Sequence, residues 1–220
     1  MSPTVAVRGE VTREVPPEIA TVSVSVAASD RERTVALTRL SERNAALGVL
    51  LDGFGDVIER RETSGLYVYP ITKGPAERVT GYRGSVTLTA TVADFTVLGD
   101  LVLRLADQDQ ATVSGPHWAL RPDSGAHRQA RHDAIADALV RAREYAEALG
   151  SQVVSLIELA DTGLSARDGG GGPIALSAGG GAMRTMSASA PQLDLEPRLQ
   201  WVHASVEARF AITDPPSLGG

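Results

Sequence analysis

Four histidines, His117, His127, His132 and His203, are the side chains best suited to metal binding or proton transfer near neutral pH. Their spacing argues against both. His127 and His132 are five residues apart and do not share a helical face. Asp123 and His127 lie four apart, but Asp123 precedes the helix that carries His127. His132, Asp133 and Asp137 offer a cation part of a shell, whereas a metal site needs three or four converging ligands. The segment is therefore read as a solvated helix face, with no metal site expected. The glycine runs at 169–172 and 179–181 lack the Gly-Lys-Ser/Thr ending and the strand–loop–helix setting of a phosphate loop. No Gly-x-Ser-x-Gly elbow, His-Glu-x-x-His motif or paired carboxylate array appears. There is no cysteine, so thiolate nucleophiles, disulfides and thiolate metal sites are excluded. The expectation is a protein that is not an enzyme, with no catalytic residue and no cofactor.

Binding residues are easier to nominate than catalytic ones. Trp201 and His203 share one face of a long terminal strand, and an exposed aromatic on such a strand points to a subunit contact. Trp118 follows His117 and Gly115-Pro116, near a strand. It reads as a packed rim, with an aromatic ligand wall as the alternative. Trp201, His203 and Trp118 are thus the candidate subunit or partner contacts. Glu18 precedes the second strand and reads as a turn residue.

The composition limits the partners. The chain has 220 residues, 43% hydrophobic and 22% charged, within the normal range for a globular protein. A net charge of −6 without a Lys/Arg cluster argues against nucleic acid. No apolar run approaches the roughly 20 residues of a membrane-crossing helix. The first residues show no basic start, apolar stretch or cleavage site. The expected location is cytoplasmic, or periplasmic or secreted if a leader has been trimmed away.

The elements that must position these residues follow from periodicity. From Ser85 to Val92 the residues alternate without a break, with Val86, Leu88, Ala90 and Val92 on one side. Ser85, Thr87, Thr89 and Thr91 lie on the other, so a strand over 82–92 has one buried and one wet face. Strands are also expected over 5–11 and 19–28, set as a hairpin-like pair around Pro16-Pro17. Further strands are expected over 57–69, 111–120, 153–159 and 198–213. The last of these would pair with 153–159 or with the N-terminal strands. A helix capped near Ser29-Asp30 runs to about Leu51 with a stripe of Leu37, Leu40, Leu47 and Leu51. A second spans 95–106 behind Asp94. The longest spans 124–149, with Ile135, Ala138, Leu139, Ala142, Ala146 and Leu149 facing inward.

The order β-α-β-β-α-β from 19 to 120 is that of a ferredoxin-like split βαβ. The predicted fold class is α+β, a mostly antiparallel sheet with helices on one face, plus a third long helix and further strands. Residues 1–220 are expected to form one domain. The Gly/Ala/Ser-rich stretch at about 161–190 is read as a mobile loop, and 214–220 as a flexible tail.

Several short motifs, in order, resemble the SIMPL-domain family. They are Gly9 in the opening strand; Pro17-Glu18-Ile19-Ala20; Thr63 and the strand end 66–70; and Gly81-Tyr82-Arg83. Ala134, Ile135, Ala136 and Ala138 in the long helix and Val202-His203-Ala204-Ser205-Val206 in the last strand complete the set. The chain departs from the family pattern at Glu18, where Asp is usual. It also departs at Val11, near which a second glycine is usual, and at Pro197-Arg198, where Pro-Gly is usual. The resemblance implies an α+β domain with no established catalytic site. It also implies relatives that are often exported, and some that form ring-like homo-oligomers; one animal relative is associated with a signalling kinase. The expected function is a non-enzymatic, self-associating interaction or scaffold protein. The alternatives are a small-molecule-binding protein or enzyme with a pocket gated by the Gly-rich stretch, and an adaptor that engages a protein partner through it.

Overall fold

Among the described residues, the chain runs β1 (Thr4–Val15), β2 (Ile19–Asp30), α1 (Arg33–Asp52), β3 (Ile58–Lys73) and β4 (Arg78–Val92). It continues with α2 (Leu98–Ala106), β5 (Ala111–Ala119), α3 (Gly125–Ala148), β6 (Val153–Asp161) and β7 (Gln200–Ile212). The structure is a computed structural model and describes residues 3–74, 77–164 and 193–216. The glycine runs and most of the stretch read as a mobile loop lie outside the described residues, as does the end of the tail. The elements form two compact units, one of β2 to β5 with α1 and α2, the other of β1, α3, β6 and β7.

The first unit has the expected ferredoxin-like arrangement. Its four-stranded sheet has the order β3-β4-β2-β5, with each neighbouring pair antiparallel. Strand β4 is interior, between β3 and β2, and alternates as its sequence requires. Val86, Leu88, Ala90 and Val92 are buried, and Ser85, Thr87, Thr89 and Thr91 are half-buried. In β2, Val22, Val24 and Val26 stand opposite Ala90, Leu88 and Val86 on the same face. That face meets Leu40, Leu47 and Leu51 of α1 and Leu98, Leu101 and Leu105 of α2, which together make one apolar cluster. Each fully buried leucine contributes about 1.5–3 kcal/mol by leaving water.

Details of this unit depart from the sequence expectation. Strand β2 runs on to Asp30, so Ser29 and Asp30 do not cap α1. Glu32 holds the cap position without a side-chain bond, while Asp30 accepts from the Glu32 N–H at 3.0 Å. Leu37 is exposed and Ala36 is buried in its place, because 36, 40, 47 and 51 lie closer to one line on a 3.6-residue helix. Residues 95–97 form a 3-10 turn, not the first turn of α2. Asp94 accepts from the Thr96 N–H and hydroxyl there.

In the second unit the sheet order is β1-β7-β6. Strand β7 therefore pairs with both of the partners considered for it. The hairpin expected of β1 and β2 does not form. Two successive prolines fix φ and supply no N–H, so Pro16-Pro17 carries the chain out of one sheet and into another. Ser124 caps α3 by accepting from the Ala126 N–H at 3.2 Å. Gly150, at φ 68°, ends the turn beyond it, as the sequence predicts.

The buried stripe of α3 is Ala130, Ala134, Ala138, Ala142 and Ala146, a strict four-residue repeat. Ile135 and Leu149, expected inside, are exposed. The reason is the strand beneath. The helix rests so closely on Gly9 of β1 that an added Cβ there would lie 2.0 Å from the Ala134 carbonyl oxygen. Only alanine fits the line of closest approach, and the larger residues are displaced to its flank. Two polar ties fix this contact. The Glu10 N–H donates to Asp137 at 2.9 Å, and Arg13 donates to Asp133 at 2.6 Å.

Candidate functional site

The two aspartates weighed for a cation, Asp133 and Asp137, are tied into the fold. Asp133 is paired with Arg13 and also accepts from Gln129. Asp137 accepts from Glu10 and pairs with Arg141 at 2.9 Å. Among the described residues, no group of three histidines, aspartates or glutamates converges. Nor, among the described residues, is any helix long and apolar enough to cross a membrane.

The three contact candidates fall in different settings. Trp118 is half-buried against the apolar cluster of the first unit. Its ring meets that of Phe95 edge-on, with centroids 4.8 Å apart and planes at 77°. Such a pair is a packing feature. Trp201, the second residue of β7, is 64% exposed, on the sheet face turned away from α3. His203 shares that face and lies within hydrogen-bonding distance, 3.1 Å, of the Thr12 hydroxyl of β1. The same face carries Arg8, paired with Glu207 at 3.0 Å.

Glu18 does more than form a turn. Its N–H donates to the Ala119 carbonyl at 2.9 Å, and its carboxylate accepts from the Arg121 N–H at 3.0 Å. The Arg121 guanidinium in turn donates twice to Glu59, at 2.7 and 2.6 Å. The chain leaving β5 is thereby tied to the start of β2 and the start of β3. The guanidinium holds the Glu59 carboxyl below its ordinary range. Asp30 is lowered by its bond from the Glu32 N–H, and Asp94 by its bonds from Thr96. A carboxylate with a depressed folded-state pKa adds stability above the unfolded-chain value. That stability is lost as pH falls through the folded value. In urea titrations, Arg121→Gln is expected to be less stable than the parent near neutral pH, with the gap closing as pH falls below about 4. A gap independent of pH would contradict this account of the pair.

The feature that sequence reasoning missed is β3. It is an edge strand of 16 residues, and its middle is apolar and exposed. Leu66 and Tyr67 are 64% and 65% exposed, and Val68, Tyr69 and Ile71 are also exposed. Leu66 and Val68 stand opposite Val86 and Gly84 on the helix side, while Tyr67 and Tyr69 stand opposite Ser85 and Arg83 on the open side. Irregularities between Thr63 and Gly65 and between Ile71 and Thr72 bracket one regular stretch from Gly65 to Ile71. The neighbouring open face is stiffened by hydroxyls, with Ser23 and Thr89 3.1 Å apart and Thr89 donating to Ser64 at 2.9 Å. The signal in the sequence is Leu66-Tyr67-Val68-Tyr69, where apolar residues do not alternate with polar ones. Such a run fits a strand with unfilled space on both faces as well as one buried on both.

Residues 5–210 match the family model described as SIMPL, protein of unknown function (DUF541). No curated protein matches the chain.

Proposed function

We propose that this chain, which belongs to the SIMPL family, is a non-enzymatic interaction protein that associates with a second copy of itself through β3. The observation that carries the reading is the exposed apolar stretch from Leu66 to Ile71 on a sheet edge that has no further strand among the described residues. An edge strand presents free N–H and C=O groups, and proteins normally blunt such edges with charge or irregularity. Here the irregularities lie at the ends of the stretch, and its middle is regular. Pro70 cannot donate to a ladder, so its nitrogen belongs on the outward side of the edge. Val68, two residues away, then also turns its N–H outward.

An antiparallel pair with a two-fold axis at Val68 exchanges the two Val68 N–H···O bonds. It also sets Leu66 across from Pro70, whose carbonyl accepts from the Leu66 N–H; proline returns no N–H, so that pair makes one bond where Val68 makes two. Tyr67 of one copy meets Tyr69 of the other on the open face, an aromatic cross-strand pair worth about 0.2–1 kcal/mol. This contact is isologous and closes on itself. Trp201 and His203 supply a second exposed surface for a further copy or a partner protein.

Light scattering over a range of concentrations tests the reading. The parent is expected to approach twice the chain mass, and Val68→Lys with Tyr67→Lys to remain at the chain mass with unchanged circular dichroism. A parent that is monomeric at every concentration would reject it.

A further inference from the structure

The second unit covers its sheet unevenly. Helix α3 lies along β1, where Gly9 admits it most closely, and among the described residues the helix-side face of the edge strand β6 is left open. Leu156 and Leu159 of β6 stand opposite Phe210 and Ala208 of β7, and both leucines are about half exposed. On the helix flank, Ile135 and Leu139 face the same space, displaced there by the alanine stripe. The result is a groove of about 410 Å³, within the range of small-molecule sites.

The lining has a definite polarity. Among the described residues, its sole ionisable side chain is Arg143, one helical step beyond Ile135 and Leu139, at spacings of four residues. Among the described residues, no carboxylate lines the groove and Arg143 has no ion pair. The row from Ile135 to Arg143 spans about 12 Å at 1.5 Å per residue. That length fits an extended chain of about ten carbons at ordinary carbon–carbon bond lengths.

We propose that this groove binds a free amphipathic anion of the medium-chain fatty carboxylate class. The alkyl chain lies between α3 and β6, and the carboxylate is at Arg143. A guanidinium donates to such a head group in bidentate fashion, and an apolar trough on a chain of net charge −6 would otherwise repel it. The site belongs to the unit that lacks β3, so its test is separate from that of self-association.

Calorimetric titration of the full chain with decanoate, kept well below its micellar concentration, tests the proposal. Saturable one-to-one binding is expected, at least tenfold weaker in Arg143→Glu and weaker in Leu156→Ser. Decyltrimethylammonium, with the same chain and the opposite charge, is expected not to bind. The proposal is overturned by an absence of saturable decanoate binding, by equal binding of the cationic analogue, or by an unchanged Arg143→Glu. It is also overturned if the protein sediments with phosphatidylglycerol vesicles while ignoring free decanoate, or if Leu156→Ser instead dissolves a dimer.

Discussion

Gly9→Ala is expected to destabilise the unit of β1, α3, β6 and β7 by about 3 kcal/mol, the upper part of the range for overpacked cores. The added Cβ would lie 2.0 Å from the Ala134 oxygen, 2.6 Å from the Ala138 nitrogen and 2.7 Å from the Ala138 Cβ. Two of these three are backbone atoms of a regular helix, so no side-chain rotation relieves the clash. Either α3 lifts from β1 or β1 shifts in its sheet. Lifting the helix opens contacts along the whole alanine stripe and strains the Arg13–Asp133 and Glu10–Asp137 ties. Hydrogen exchange is the appropriate readout, with protection lost in α3 and β1. Gly48→Ala is the matched control, because its only near neighbour is the Arg61 guanidinium at 3.9 Å. On a helix that change should stabilise by about 0.5–1 kcal/mol. Equal tolerance of the two substitutions would contradict the close approach at Gly9.

Leu101→Ala is expected to cost about 2–5 kcal/mol. Leu101 is fully buried, at the centre of the row Leu98, Leu101 and Leu105. Helix α2 has nine residues, shorter than the roughly 12–15 needed for even marginal helicity in isolation. Its packing is therefore what holds it, and the cavity left by the truncation lies between it and the sheet. The expected signature is a lower urea midpoint, with amides of α2 exchanging before those of β2 and β4. A loss under about 1 kcal/mol, or exchange spread evenly over the unit, would show that α2 is not held in this way.

The sequence made the βαββαβ unit readable because its determinants are local. Val86, Leu88, Ala90 and Val92 declare a half-buried strand, and their neighbours in the core come from short, strongly striped elements. The pairing of β1 with β7 was not readable as a choice. It joins the two ends of the chain, and the local pattern of 5–11 fits either sheet. In α3 the larger apolar residues Ile135 and Leu149 misled, since the size of the side chain at the interface was set by Gly9, more than a hundred residues away. Alanine at 134, 138 and 142 carries no strong apolar signal alone, although its four-residue spacing matches a single helical line. The β3 edge was hidden for a different reason. Periodicity shows which residues share a face, but Leu66, Tyr67, Val68 and Tyr69 are exposed because of where β3 sits in the sheet order. Of the nominated contacts, Trp201 was legible as an exposed aromatic on an alternating strand. Trp118 was legible as packing.

In the proposed dimer two copies meet at Val68, and the absence of native cysteine permits a direct measurement. Residues facing each other in an antiparallel hydrogen-bonded pair have Cα atoms about 5.5 Å apart, within the reach of a disulfide. Val68→Cys is expected to form a covalent dimer under mild oxidation, reversible by thiol. Val49→Cys, on the exposed side of α1 at 73% exposure, is expected to stay monomeric under the same conditions. No cross-link at Val68→Cys, or equal cross-linking of the two variants, would contradict the account.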